Sequence, residues 1–408
     1  MVAQVQAKEH FRQIMVCRND GSRRLTPVLS LGTHTMTDFR TAEEQPPMGA
    51  PLNLVRCEDC GLVQLQHTVS RDMMYRRYWY RSSVTETMRK ELAGIASEVM
   101  AQSHFSPGDI VLDIGANDGF FLNAIQEQAV TIGFDPAQNV YADIDHYHHD
   151  YFSSSTYFSY HRRKPHVISS LAMFYDLDNP HQFVEDIRVT LHGDGIWVCQ
   201  QNYLYSMLES LAYDNIGHEH LCYYSLELLK GILEDHRLDI YDVSLNPTNG
   251  GSIRFYACHA GARTIQPSVA KLELEESMKD TASLLEEFRI KIGRERQMLI
   301  AFLMDAYTAG KRVYALGAST RGNTLLQFCG IEPPLVIAAS ERDPLKVGTV
   351  TPGTNIPIIS EQESREAQPD YFLVLPWHFR EEIIQREQEF LSRGGKLVFP
   401  LPSFEIYP

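Results

Sequence analysis

With 408 residues, 44% of them apolar and 22% charged, the chain is too long for one ordinary core and has the composition of a folded multidomain protein, which argues against disorder. Lys+Arg 37 against Asp+Glu 52 leaves a formal charge of -15 with no basic run to offset it, so neither nucleic acid nor an anionic membrane is expected as a partner. The N-terminal stretch MVAQVQAKEHFRQ is broken by charges where a signal peptide would be apolar, no run is apolar enough to span a bilayer, and the seven cysteines form no disulfide framework; the expected location is cytoplasmic.

The first motif in chain order is Cys57-Glu-Asp-Cys60-Gly, the turn that lets two thiolates face one tetrahedral zinc ion. Cys17-Arg-Asn-Asp20-Gly copies it with aspartate in the second thiolate's place. Three sulfurs are thus in hand for a structural Zn²⁺. Asp20 is the direct candidate for the fourth ligand, with His34 and His67 as alternatives that only folding could bring near. A redox CxxC is the rival, but no thioredoxin-like strand precedes it and Cys17 would be idle. Residues 1–70 are read as this module. The segment Arg71–Arg89 follows, dense in aromatics. A helix packing them on the next domain accounts for most of them, with one or two left to face a ligand.

A central domain is read over 71–265. Ile110–Leu122 (IVLDIGANDGFFL) is an apolar strand, a glycine turn and a helical pattern, the first βα unit of a doubly wound parallel sheet. A dinucleotide fingerprint needs glycines that let backbone reach a pyrophosphate, whereas here Asn117 takes the middle place between Gly115 and Gly119, and Asp113 and Asp118 make the turn acidic. Carboxylates repel a pyrophosphate but suit a cationic cofactor without phosphates. S-adenosylmethionine (SAM), with its ammonium and sulfonium, fits; NAD does not. The next strand ends at Asp135-Pro136, about twenty residues past the turn, where an acid accepts from ribose hydroxyls. Asp150-Tyr151-Phe152 follows the expected third strand, Val167–Ser170 with Ser169 is the fourth, and Gly195–Cys199 the fifth.

Beyond the fifth strand lies Tyr213–Ser225, YDNIGHEHLCYYS, a stretch dense in proton-moving side chains. Loops past a strand's carboxyl end lie over the cofactor, so His218, Glu219 and His220 are expected to face the methyl group. The bland alternative is a polar surface loop.

Apolar residues recur at helical spacing through Lys271–Lys311, implying one long helix or a helical pair as a connector, assigned 266–310. A second βα unit opens at Val313 and defines a C-terminal α/β domain, 311–408. Its turn, Gly317-Ala-Ser319-Thr-Arg321-Gly-Asn323-Thr324, carries no acid, and hydroxyls with Arg321 at a helix start suit a phosphate. Glu341 and Arg342 after the next strand, and Trp377 after the Tyr371 strand, stand at further ligand-capable strand ends.

The zinc module, the SAM turn, the HEH loop and the C-terminal GASxxGNT, PGTxIPI and LPW segments together resemble the SAM-dependent sugar C-methyltransferases acting on nucleotide-linked deoxysugars, over nearly the whole length. The resemblance implies an α/β chain: a class I SAM-methyltransferase Rossmann-like domain between a small zinc-binding module and a second Rossmann-like domain. It implies SAM on Asp113–Gly119 and Asp135, with Tyr80 and Ser83 touching the ligands, and the nucleotide held largely by the C-terminal domain. It also implies an enolate made beside a ketone. His220 is then the expected base, Glu219 the orienter of that base or of a sugar hydroxyl, and His218 or Tyr224 the oxyanion partner. Gly217 stands where the family often has tyrosine, Tyr175 or a neighbour in Phe174-Tyr175-Asp176 where it often has histidine, and Asp20 where it has a zinc cysteine. A methyltransferase of this scaffold acting at oxygen, or on a non-sugar metabolite, is the alternative, and the chain is expected to be a monomer or small homo-oligomer.

Overall fold

A computed structural model describes residues 10–103 and 105–408, so the charged stretch 1–9 used above lies outside the described residues. Three sheets dominate. The N-terminal one stacks Leu25–Thr35, Gly49–Cys57 and Val63–Leu65 antiparallel, and its fourth strand, Cys222–Tyr223, comes from the chain segment directly behind the HEH residues. Leu65 N–H also donates to the Leu221 carbonyl at 2.9 Å. The HEH loop is therefore stitched to the zinc module by backbone hydrogen bonds.

In the central sheet the first strand, Ile110–Ile114, is buried at every position because the sheet is covered on both faces, which is why it reads as a continuous apolar run. Counted along the chain, its seven strands lie in the order 6-7-5-4-1-2-3, with Ser252–His259 running antiparallel beside the fifth. The order reverses at the first strand, so its carboxyl end borders the crevice where ligands bind in such sheets. The C-terminal sheet has six strands in the order 3-2-1-4-5-6, parallel except for Glu405–Tyr407.

The connector takes one of its two expected forms, and the aromatic segment departs from the single helix expected of it. The connector is a helical pair, Pro267–Ser277 and Thr281–Thr308, broken where Asp280 caps the second helix by accepting from Ala282 and Ser283 N–H. Only Arg71–Tyr75 and the residues from Glu86 onward are helical in the aromatic segment; the loop between them carries Tyr78 and Tyr80 to the wall of a cavity together with Tyr75.

The domains are clamped by an ion pair. Arg321 donates from Nε and Nη2 to both Asp214 oxygens (3.0 and 2.8 Å) and from Nη1 to the Asn249 carbonyl (2.6 Å), while Trp377 Nε1 donates to Asp214 at 3.0 Å. The Asp214 and Arg321 side chains are 1% and 13% exposed. Asp214→Ala would leave the guanidinium charge buried and unpaired. The expected loss is about 3–5 kcal/mol, read as a lowered midpoint of urea unfolding.

Candidate functional site

The knuckle assembles as its sequence implies. One donor atom from each of Cys17, Asp20, Cys57 and Cys60 lies within 4.8 Å of the others. The Cys17 and Cys60 sulfurs stand 3.6 Å apart and Cys57 Sγ lies 3.5 Å from an Asp20 oxygen, separations close to the edges of a tetrahedron around zinc. Asn19 N–H (3.4 Å) and Gln64 Nε2 (3.2 Å) both donate to Cys17 Sγ, which favours a thiolate. Gly21 and Gly61 close the two turns at φ +71° and +82°, a region open to glycine at no steric cost. These ligands fit Zn²⁺. His34 and His67 are elsewhere: His34 Nε2 donates to the Leu31 carbonyl and His67 packs edge-on against Phe11.

A cavity of about 800 Å³ runs from the carboxyl end of the first central strand, past the HEH loop, to the Thr320–Cys329 helix. At one end Asp135 is fixed by the N–H groups of Asn117 (3.0 Å) and Ala137 (2.8 Å), and Asp113 by the Ser169 hydroxyl (2.7 Å). Burial pushes Asp113 up to about 7 and raises Asp135. Gly115 sits at φ +76°, and a Cβ there would meet the Met173 side chain at 3.3 Å, so glycine keeps this end open. Asp150, Tyr151, Phe152, Pro136 and Tyr80 complete the wall. The acids and the absence of a basic side chain from the turn suit a cation, so this end fits SAM. Four expected contacts stand off the wall: Ser83 N–H donates to Asp118 (2.9 Å), Gly119 starts the next helix, and Ser169 is fully buried behind Asp113.

At the middle, His220 Nδ1 lies 2.6 Å from the Asn215 carbonyl. A carbonyl only accepts, so Nδ1 carries the proton and Nε2 keeps its lone pair. His218 Nε2 donates likewise to the Ala50 carbonyl at 2.9 Å, which ties that ring to the N-terminal sheet. Burial lowers both histidines to about 4 and pushes Glu219 up to about 7. Glu219 accepts from the Tyr78 hydroxyl (3.2 Å) and does not touch His220; the Tyr175 ring does, edge-on at 4.4 Å between centroids. Tyr224 is fully buried against Phe174 and its hydroxyl is off the wall. Gly217 faces the cavity, with nothing within 4 Å of an added Cβ.

The far end differs most from the phosphate expected there. Arg321, Asn323 and Thr324 reach the cavity, but Asp214 already neutralises Arg321. At the Gly317 turn, Ala318 N–H donates to Glu341 (2.8 Å) and Gly322 N–H to the Ser319 hydroxyl (2.9 Å), so two of the backbone donors there are taken. Gly317, Ser319, Glu341, Arg342 and Trp377 stand off the wall.

Several wall groups escaped the sequence reading. Gln201 and Asn215 each have both amide atoms buried without a partner, and so does Asn323. A polar run, Gln200-Gln201-Asn202, at the carboxyl end of an otherwise apolar strand was the available signal for Gln201. Tyr75 and Tyr78 stood out only as members of the aromatic segment, and Asp176 only as a neighbour of Tyr175.

Three families match the chain in turn. Residues 17–75 match a family described as a zinc-binding domain, 80–243 a methyltransferase domain, and 247–402 a C-methyltransferase C-terminal domain. The chain is 28% identical to C-methyltransferase NovU of Streptomyces niveus over 404 residues, 96% of each chain. Solved structures that align include the magnesium protoporphyrin IX methyltransferase of Synechocystis PCC 6803 with bound SAH (11% identity, 44% of this chain and 90% of that one, TM-score 0.34). The plantazolicin methyltransferase BpumL aligns at 14% identity over 41% and 82%, TM-score 0.32. For the knuckle, metal analysis of freshly purified protein is expected to return about one zinc per chain. Asp20→Ala should lower zinc retention during dialysis against a chelator.

Proposed function

We propose, for a chain that is a SAM-dependent methyltransferase built from the domains of the C-methyltransferases, that the acceptor is a carbon next to the ketone of a nucleotide-linked keto-deoxysugar, made nucleophilic by His220. The observation that carries this reading is the His220 tautomer. Its Nδ1 proton is committed to the Asn215 carbonyl, and its Nε2 lone pair is free at a cavity that also contains the SAM end. A carbon beside a ketone has no lone pair to offer a methyl donor, so a positioned base is the first requirement, and a neutral imidazole beside a dry wall meets it.

When bound, SAM supplies an electrophilic methyl group on a sulfonium. Asp135 would hold the ribose hydroxyls and Asp113 with Asp150 would lie near the cofactor's polar groups. His220 Nε2 takes the α-proton, the C–H electron pair becomes the enolate double bond, and the carbonyl π pair moves onto oxygen. The bound cofactor would supply its methyl group to that carbon, the carbon–sulfur electron pair leaving with sulfur. Gly217 leaves space for the sugar beside the base, and the unpartnered Asn215 and Asn323 amides are the neutral groups available to its hydroxyls. The diphosphate is expected toward the cavity mouth, since Asp214 neutralises the guanidinium at the far end and Arg71 carries an exposed one at the mouth.

We further propose module limits at 70, 265 and 310, as read above, and a cytoplasmic protein that works as a monomer or small homo-oligomer. No helix among the described residues is long and apolar enough to cross a membrane.

His220→Ala is expected to abolish methyl transfer and leave SAM affinity, measured by calorimetry, unchanged; retained turnover would remove His220 from the base role. Because burial lowers His220 to about 4, the free base persists below the usual histidine range and is lost only as pH falls through about 4. Single-turnover rates should therefore show no histidine-like decline near pH 6.5.

A further inference from the structure

Deprotonation by His220 leaves a negative oxygen that something on the wall has to meet. Neither residue expected for it is placed to do so: Tyr224 is in the core, and His218 donates its Nε2 proton to Ala50. We propose that Asp176 is a catalytic residue, a neutral carboxylic acid that donates a hydrogen bond to the acceptor's ketone oxygen as the enolate forms. This rests on the enolate reading above.

Asp176 ends the single 3-10 turn Phe174–Asp176, just past the carboxyl end of the fourth central strand, and it lines the cavity. Tyr175, one residue before it, lies edge-on to the His220 ring at 4.4 Å, so base and acid are adjacent on one wall. One Asp176 oxygen, Oδ1, is buried with no partner. A native structure does not leave a buried carboxyl oxygen idle without a reason, and a ligand group in the cavity supplies one.

The surroundings settle which form the carboxyl takes. The groups that face it are Glu219 from the HEH loop, Tyr75 from the Arg71–Tyr75 helix, Tyr78 from the loop after it, Tyr175 from its own turn and Tyr223 from the short strand. None is a cation. Two carboxyl groups on one dry wall cannot both ionise at low cost, so at least one keeps its proton. Burial and then Glu219 hold Asp176 well above the usual carboxylate range, whereas Glu219, which accepts from Tyr78, is raised only to about 7. Asp176 is the one that stays protonated. A protonated carboxyl is an O–H donor, and in a water-poor site such a donor is strong where oxyanion charge develops. No atom changes hands: the proton stays on Asp176 while the C–H proton goes to His220.

The test follows deuterium from solvent into the sugar carbon, with the protein saturated by S-adenosylhomocysteine and offered a panel of nucleotide 4-keto-6-deoxysugars. Asp176→Ala is expected to slow exchange about 100-fold, the usual cost of one oxyanion donor, with SAM affinity unchanged. Asp176→Asn keeps volume and an N–H donor that cannot ionise. It should retain most of the exchange and lose the alkaline decline that wild-type protein shows as Asp176 gives up its proton. Ala exchanging at the wild-type rate, or Asn as slow as Ala, would overturn the assignment alone. No exchange by wild-type protein would overturn the enolate reading, and the assignment with it.

Discussion

The arrangement of this molecule depends on the pairing of Arg321 with Asp214. Two charges removed from water cost several kcal/mol each, and their attraction offsets this only when geometry is good and the remaining donors are satisfied. Here the contact is bidentate, a third guanidinium nitrogen reaches the Asn249 carbonyl, and the Trp377 indole adds a third hydrogen bond to the carboxylate. Asp214 and Asn215 share one turn, and the Asn215 carbonyl orients His220. A C-terminal arginine thereby fixes the tautomer and aim of a base that belongs to the central domain. The same guanidinium helps to hold His220 unprotonated.

Around that clamp the cavity is polarised. Carboxyls line the cofactor end, where a cationic cofactor offsets them. In the middle, Asp176, Glu219 and three tyrosines form a wall without any cation, so acidic protons are retained there at neutral pH. Toward the Thr320–Cys329 helix the wall offers neutral amides. One cavity thus places a base with a free lone pair beside groups that still hold their protons, a combination that water would quickly level and that burial preserves.

The sequence made local chemistry readable. Cys17-x-x-Asp20-Gly and Cys57-x-x-Cys60-Gly dictate their own turns, and Asp113, Gly115 and Asp135 follow from the strand–turn–helix pattern, because each of these features is set within a few residues. The HEH loop was visible as a density of proton-moving groups. What stayed hidden were pairings across distance. Arg321 read as a phosphate ligand because its partner lies 107 residues away, and the Gly317 turn read as an anion site because Glu341, which occupies its Ala318 N–H, comes from the next strand. Tyr224 looked like a neighbour of His220, but it packs on Phe174 in the core. Asp176 stood out only as a neighbour of Tyr175, since only the fold sets it against Glu219.

The central claim is that burial and Asn215 make His220 a base for carbon, so that methyl transfer ends in a new carbon–carbon bond. The most direct measurement is NMR of the product formed from methyl-labelled SAM and a nucleotide 4-keto-6-deoxysugar. The account predicts that the labelled methyl is bonded to the carbon next to the ketone, which has lost its hydrogen to solvent. A labelled methyl on oxygen would contradict it.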